Sequence, residues 1–148
     1  MGCDLHGFVE RKNEEGQWEY VPGFAPFDWR SYGLYGWLAD VRNYSAVPPI
    51  AKPRGLPDDV CAYLRTEYTE DSDCHSASWV SLEELLEFDY DAVVEDRRVN
   101  TKHTGAATCA PGEGVTMPYR EFLGKDFFTE LEKLKKLGAG RVVFWFDN

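Results

Sequence analysis

Apolar and polar positions alternate from the start of the chain. Leu5, Phe8 and Val9 predict a strand over residues 3–10, and a period of two puts Asp4 and His6 side by side on one face. Asn13-Glu14-Glu15-Gly16 is a polar turn, and Trp18, Tyr20 and Val21 alternate after it, which predicts a hairpin. Pro22 to Trp29 is an aromatic, proline-broken loop. Leu34, Trp37, Leu38 and Val41 recur at helical spacing, so Tyr32 to Val41 reads as a short helix, weakened by Gly33 and Gly36. Residues 44–57 carry Pro48, Pro49, Pro53 and Pro57 and form an ordered irregular loop. Pro57-Asp58-Asp59 then has the form of a helix first turn, with Val60, Leu64 and Tyr63 as the face expected inward.

Ser81-Leu82-Glu83-Glu84 is a capping box, and Leu82, Leu85, Leu86 and Phe88 supply the apolar face behind it. Asp89 to Val99 fits helix or strand equally. Residues 100–116, with Gly105, Pro111, Gly112 and Gly114, read as a flexible loop able to act as a lid. Leu123, Phe127, Leu131 and Leu134 trace one stripe, predicting a helix from Tyr119 to Leu137 that stops at Gly138. Val142 to Phe146 is apolar on both faces, the mark of a central strand, and the helix before it can return the chain beside the first strand. The expected architecture is one α+β domain over residues 1–148. It has a small, mainly antiparallel sheet with a long C-terminal helix and shorter helices packed on it.

Composition narrows the function. The 148 residues carry a formal charge of −10 and a pI near 4.7, which argues against a nucleic-acid binder, since that needs a basic footprint. Acidity also suits a protein that mimics DNA. The apolar run Val142 to Phe146 is far too short to span a bilayer. The amino terminus lacks the basic and apolar segments of a signal peptide, so the expectation is a cytoplasmic protein with no membrane partner. Met-Gly suggests myristoylation, but His6 stands where that pattern wants Ser or Thr. Cys3, Cys61, Cys74 and Cys109 have no zinc-ribbon spacing and read as reduced thiols.

Three constellations could carry chemistry. Cys3-Asp4-Leu5-His6-Gly7 looks like the opening block of calcineurin-type metallophosphoesterases, but the later histidine blocks are missing. Only His75 and His103 remain. A single metal held by Asp4, His6, His75 and Asp147 is chemically open, yet a hydrogen-bonded Asp4 and His6 is the better reading, so no metal or cofactor is expected. His75-Ser76-Ala77-Ser78-Trp79 concentrates donors before the capped helix, where an anion would be held. Arg42-Asn43 and Arg54-Gly55 place arginines in ordered loops, where the planar fork clamps phosphate or carboxylate. Aromatics nearby could stack a base, and Asp147 and Asn148 end the last strand where clefts often form.

Met1 to His6, Arg42-Asn43, Arg54 to Asp58, His75 to Trp79, Tyr119 to Phe122 and Val143 to Asn148 together resemble a family of small uncharacterised proteins from tailed bacteriophages. By analogy of setting, that resemblance implies a phage anti-defence protein in the host cytoplasm. It would bind and sequester a small anionic, nucleotide-like immune signal without catalysis. The residues expected to bind are Asp4, His6, Arg42, Asn43, Arg54, His75, Ser76, Ser78, Trp79 and Asp147. Arg42, Arg54, His6 and His75 are expected to converge in one cavity. A symmetric homo-oligomer, building pockets between subunits, is compatible with this. The alternatives are a metal-dependent phosphoesterase or nucleotide hydrolase, and an acidic protein that inhibits a host enzyme.

Overall fold

The computed structural model describes residues 2–99 and 107–148. The chain divides into two compact units, one made of Met1–Arg30, Pro53–Glu87 and Phe128–Asn148, the other of Ser31–Lys52 and Phe88–Phe127. The first unit is built on a sheet of β1 (Asp4–Lys12), β2 (Trp18–Val21), β3 (His75–Ser81) and β8 (Arg141–Asp147). Its order is β2-β1-β8-β3, with each adjacent pair antiparallel. The expected hairpin forms because Asn13 Oδ1 accepts the amides of Glu15 and Gln17, both at 2.9 Å, closing an Asx turn. The expected pairing of the first and last strands is also present, with Asp4 opposite Asp147 and His6 opposite Trp145.

The register sorts residues onto two faces. Leu5, Val9, Val80, Val142, Phe144 and Phe146 are all buried and share one face. On the other, Val143 and Trp145 join Ala77, Val60 and Leu64 in a buried cluster, with Phe8, Tyr20 and Tyr68 packed against it. Leu64 belongs to α2 (Ala62–Glu70). That helix begins later than the sequence suggests, because Asp58 and Asp59 lie in a turn before it. The amide of Cys61, at its start, is satisfied from the sheet, donating to Glu10 Oε2 at 2.8 Å.

Where the sequence suggests a donor-rich loop, β3 is a strand. Its small residues hide the alternation, and a bulge between His75 and Ser78 puts Ser76 at a φ of 57°. The capping box forms as expected at α3 (Leu82–Glu87). The Glu84 amide donates to Ser81 Oγ, and the Ser81 amide donates to Glu84 Oε1, both at 3.0 Å. The long C-terminal helix is present as α5 (Lys125–Leu137), but it starts later than the sequence suggests, because Tyr119–Leu123 forms a separate short helix, α4. Gly124 separates them at φ 83° and ψ 164°, a conformation that needs glycine and ends a helix.

The second unit contains α1 (Tyr32–Ala39), a ribbon of β4 (Val93–Asp96) with β7 (Val115–Pro118), a short pair of β5 (Arg98–Val99) with β6 (Ala107–Thr108), and α4. Asp89 to Val99 thus settles in favour of strand. The lid expectation falls partly on residues 100–106, which lie outside the described residues, while Val115 onward is ribbon. Trp37 is fully buried, with Phe88, Tyr90 and Phe127 at ring-centroid distances of 5.0, 6.0 and 5.5 Å. The two glycines that weaken α1 have a packing reason. A β-carbon on Gly33 would meet the Arg98 guanidinium at 2.6 Å, and one on Gly36 would meet Asn43 Oδ1 at 2.5 Å. Among the described residues no helix is long and apolar enough to cross a membrane.

Candidate functional site

Polar groups stand at both ends of the same sheet face, with the Val143 and Trp145 cluster between them. At one end Asp4 is held by Arg30 through two bonds of 3.0 Å, and His6 Nε2 meets Asp147 Oδ2 at 2.9 Å. His75 bonds Ser76 Oγ through Nδ1 at 2.9 Å and Asn148 Oδ1 through Nε2 at 3.1 Å. The single-metal arrangement of Asp4, His6, His75 and Asp147 is therefore not assembled. Among the described residues no three His, Cys, Asp or Glu side chains gather to hold an ion. The His6 and Asp147 side chains are 43% and 33% exposed, so their bond is screened. His6→Ala should cost less than about 1 kcal/mol by chemical denaturation; a larger loss would make this pair a structural anchor.

The other end is built differently. Glu10, Lys12, Trp18, Trp79, Ser81 and Arg141 all project from one face, as the pairings Glu10 with Arg141, Lys12 with Trp18 and Ser81 with Arg141 require. All but the buried Glu10 meet Arg54 and Asp59, carried by the proline loop, around a pocket of about 740 Å³ walled by Leu56 and Pro57. Cations and indoles interleave there. The Lys12 ammonium lies 5.2 Å and the Arg141 guanidinium 3.9 Å from the Trp18 ring. Arg141 and Arg54 lie 5.6 and 4.3 Å from the Trp79 ring. Trp18 reaches this position because residue 140 is glycine; a β-carbon there would stand 2.5 Å from its ring.

Arg141 organises the pocket. Its side chain is only 4% exposed. Nε donates to Glu10 Oε1 at 2.7 Å and Nη1 to Asp59 Oδ1 at 2.9 Å. Nη2 is buried and has no hydrogen-bond partner among the described residues. Asp59 also accepts from Trp18 Nε1 at 3.1 Å, and the hydrogen bond from Arg141 leads in holding its carboxyl below the usual range. Arg54 forks onto both Glu84 oxygens and also donates to the Trp79 carbonyl at 3.1 Å.

The Arg54 fork, ahead of the opposing effect of burial, pulls the Glu84 carboxyl from its usual 4.5 to about 2. A depressed carboxyl contributes stability that is complete above the unfolded value and is lost as pH falls through the folded one. The stability gap between wild type and Glu84→Gln should therefore be widest above pH 4.5 and close as pH approaches 2. Melting curves across that range would check it, and a constant gap would refute it.

Of the ten residues named from sequence, Arg54 and Trp79 line this pocket, and Ser78 sits beside them, its Oγ accepting the Arg54 amide at 3.0 Å. Asp4, His6, His75, Ser76 and Asp147 lie toward the opposite end of the sheet. His6 and Glu10 are four steps apart along β1, roughly 14 Å of strand. The expected convergence of His6 and His75 with Arg54 is therefore absent. Arg42 and Asn43 belong to the second unit. Arg42 lies 5.5 Å from the Tyr32 ring, and Asn43 pins its own loop through Asp40 Oδ1 and the Val47 carbonyl, both at 2.8 Å.

No match was found when the chain was compared with protein-family models, curated proteins and solved structures.

Sequence reasoning passes over Lys12, Trp18, Asp59 and Arg141. A signal exists for Arg141, a charge placed directly before the apolar run Val142 to Phe146 of a central strand. It directly follows Gly140, the residue that admits Trp18. Burial, and then nearby carboxylates, pushes Cys74 up to about 11, and burial also raises Cys61.

Proposed function

We propose that this protein binds a small nucleotide-like anion in the Trp18–Trp79 pocket and sequesters it without turnover, as a phage anti-defence protein in the host cytoplasm would. The observation that carries this reading is the pairing of two indoles with two arginines, one bearing a buried unpartnered N–H, around a pocket of about 740 Å³. That volume lies within the roughly 300–1,000 Å³ usual for small-molecule sites. Stacking on an indole contributes about 1–3 kcal/mol per base and tolerates different bases. The guanidinium groups are charge-assisted donors of the kind that hold an oxyanion. Binding without catalysis is supported by how the pocket's polar groups are engaged: Ser81 Oγ caps α3, and Asp59 is held by Arg141 and Trp18.

The test is to incubate purified protein with a nucleotide mixture, desalt it, denature it by heat and chromatograph what is released. Intact return of a nucleotide is expected. Trp79→Ala should weaken uptake by about 1–3 kcal/mol, and Arg54→Ala by about 1.5–3 kcal/mol. Recovery of an altered nucleotide would make the protein an enzyme, and no uptake would favour a protein partner.

A further inference from the structure

The charges around the pocket explain what an incoming ligand must do. Lys12, Arg54 and Arg141 face Asp58 and Asp59 on its lining, and Glu10 and Glu84 already neutralise the two arginines from behind. The seat has no surplus positive charge, so an anion added to it would meet net repulsion. Asp59 differs from the other carboxylates. Its side chain is 67% exposed, whereas that of Glu10 is fully buried. It nevertheless occupies two donors that converge on one carboxylate, Arg141 Nη1 and Trp18 Nε1.

Resting on the pocket reading above, we infer that Asp59 is an internal stand-in for the ligand. It occupies the anion seat of the ligand-free protein and is displaced by an oxyanion, phosphate or carboxylate, carried on a planar aromatic body. The exchange is neutral in charge when one carboxylate leaves as one singly charged oxyanion arrives. The displaced Asp59 swings into water at little cost because it is already largely solvated. Glu10 remains as the fixed counter-ion, so Arg141 keeps its position while its Nη1 changes partner. The aromatic body lies along Trp79, and the oxyanion takes the two donors that Asp59 leaves, Arg141 Nη1 and Trp18 Nε1. Asp59 thereby sets a threshold, and only ligands with a stacking body as well as an oxyanion exceed it.

The experiment is calorimetric titration of wild type, Asp59→Ala and Asp58→Ala with AMP, indole-3-acetate, inorganic phosphate and adenosine, with melting curves to confirm folding. Asp58→Ala makes the same charge change on the same lining while leaving both donors to Asp59 in place. AMP or indole-3-acetate should bind wild type, and the tighter of the two identifies phosphate or carboxylate as the preferred oxyanion. Asp59→Ala should bind it about tenfold or more tightly, the scale of one charge-assisted hydrogen bond freed. Asp58→Ala should change affinity less than about threefold, and inorganic phosphate and adenosine should each bind more weakly. Equal gains in the two alanine variants would reduce the effect to bulk charge and overturn the stand-in. Unchanged or weaker binding by Asp59→Ala, with wild type still binding, would overturn it while leaving the pocket reading intact. Absence of binding by every probe to all three proteins would overturn both.

Discussion

Arg141→Met should lower stability by about 3–5 kcal/mol, the cost of leaving a buried charge without its partner. Glu10 is completely buried, and the side chain of Arg141 is its only ion-pair partner among the described residues. Methionine fills much of the arginine's volume, so the loss reports the stranded carboxylate more than a cavity. In a chain of this size the fall in Tm should be on the order of 10 °C. The companion variant decides the cause. Glu10→Leu with Arg141→Leu removes both charges, and such replacements are often neutral or stabilising. Here recovery should stop about 1 kcal/mol short, because Glu10 Oε2 also satisfies the Cys61 amide at the start of α2. Urea denaturation of wild type, single and double variants would measure this. A double variant no better than the single would mean that packing around Trp18, rather than the ion pair, holds this end of the sheet.

β1 and β2 are legible because burial of one face imposes a period of two, and β8 because a short run apolar on both faces marks a central strand. Ser81 and Glu84 are legible because a capping box is a local chemical arrangement that needs no tertiary context. β3 is not, since its inward positions are occupied by Ala77 and Ser78 and a bulge breaks the period. α4 and α5 read as one helix in the sequence because the apolar stripe continues across Gly124, while the backbone does not. The candidate site is half legible. Arg54 and Trp79 stand in a chemically rich loop and strand, but Lys12, Trp18, Asp59 and Arg141 come from a hairpin, a turn and a central strand. The register between strands brings Lys12, Trp18 and Arg141 together, and hydrogen bonds from Arg141 and Trp18 hold Asp59 beside them. Asp4, His6 and Asp147 do share a face, as alternation requires, yet the cluster of Val143 and Trp145 keeps them from the arginines.

Trp37→Ala should be as damaging as loss of Arg141, at about 3–5 kcal/mol, the range for deleting a large buried aromatic. Trp37 is fully buried and meets Phe88 and Phe127 edge-on, at interplanar angles of 74° and 89°. Each such pair adds about 0.5–1.5 kcal/mol beyond area. The indole also carries a cost, because Nε1 is buried with no hydrogen-bond partner among the described residues. An unsatisfied donor of this kind costs about 1–3 kcal/mol. Trp37→Phe should therefore separate the two effects. It leaves a smaller cavity than alanine, retains a ring for the edge-on contacts and removes the stranded N–H, so its net cost should stay below about 1.5 kcal/mol. Equilibrium denaturation of the two variants, with near-ultraviolet circular dichroism to follow aromatic packing, would read the difference. A phenylalanine variant nearly as unstable as alanine would mean that ring volume dominates and that the unpartnered N–H costs little.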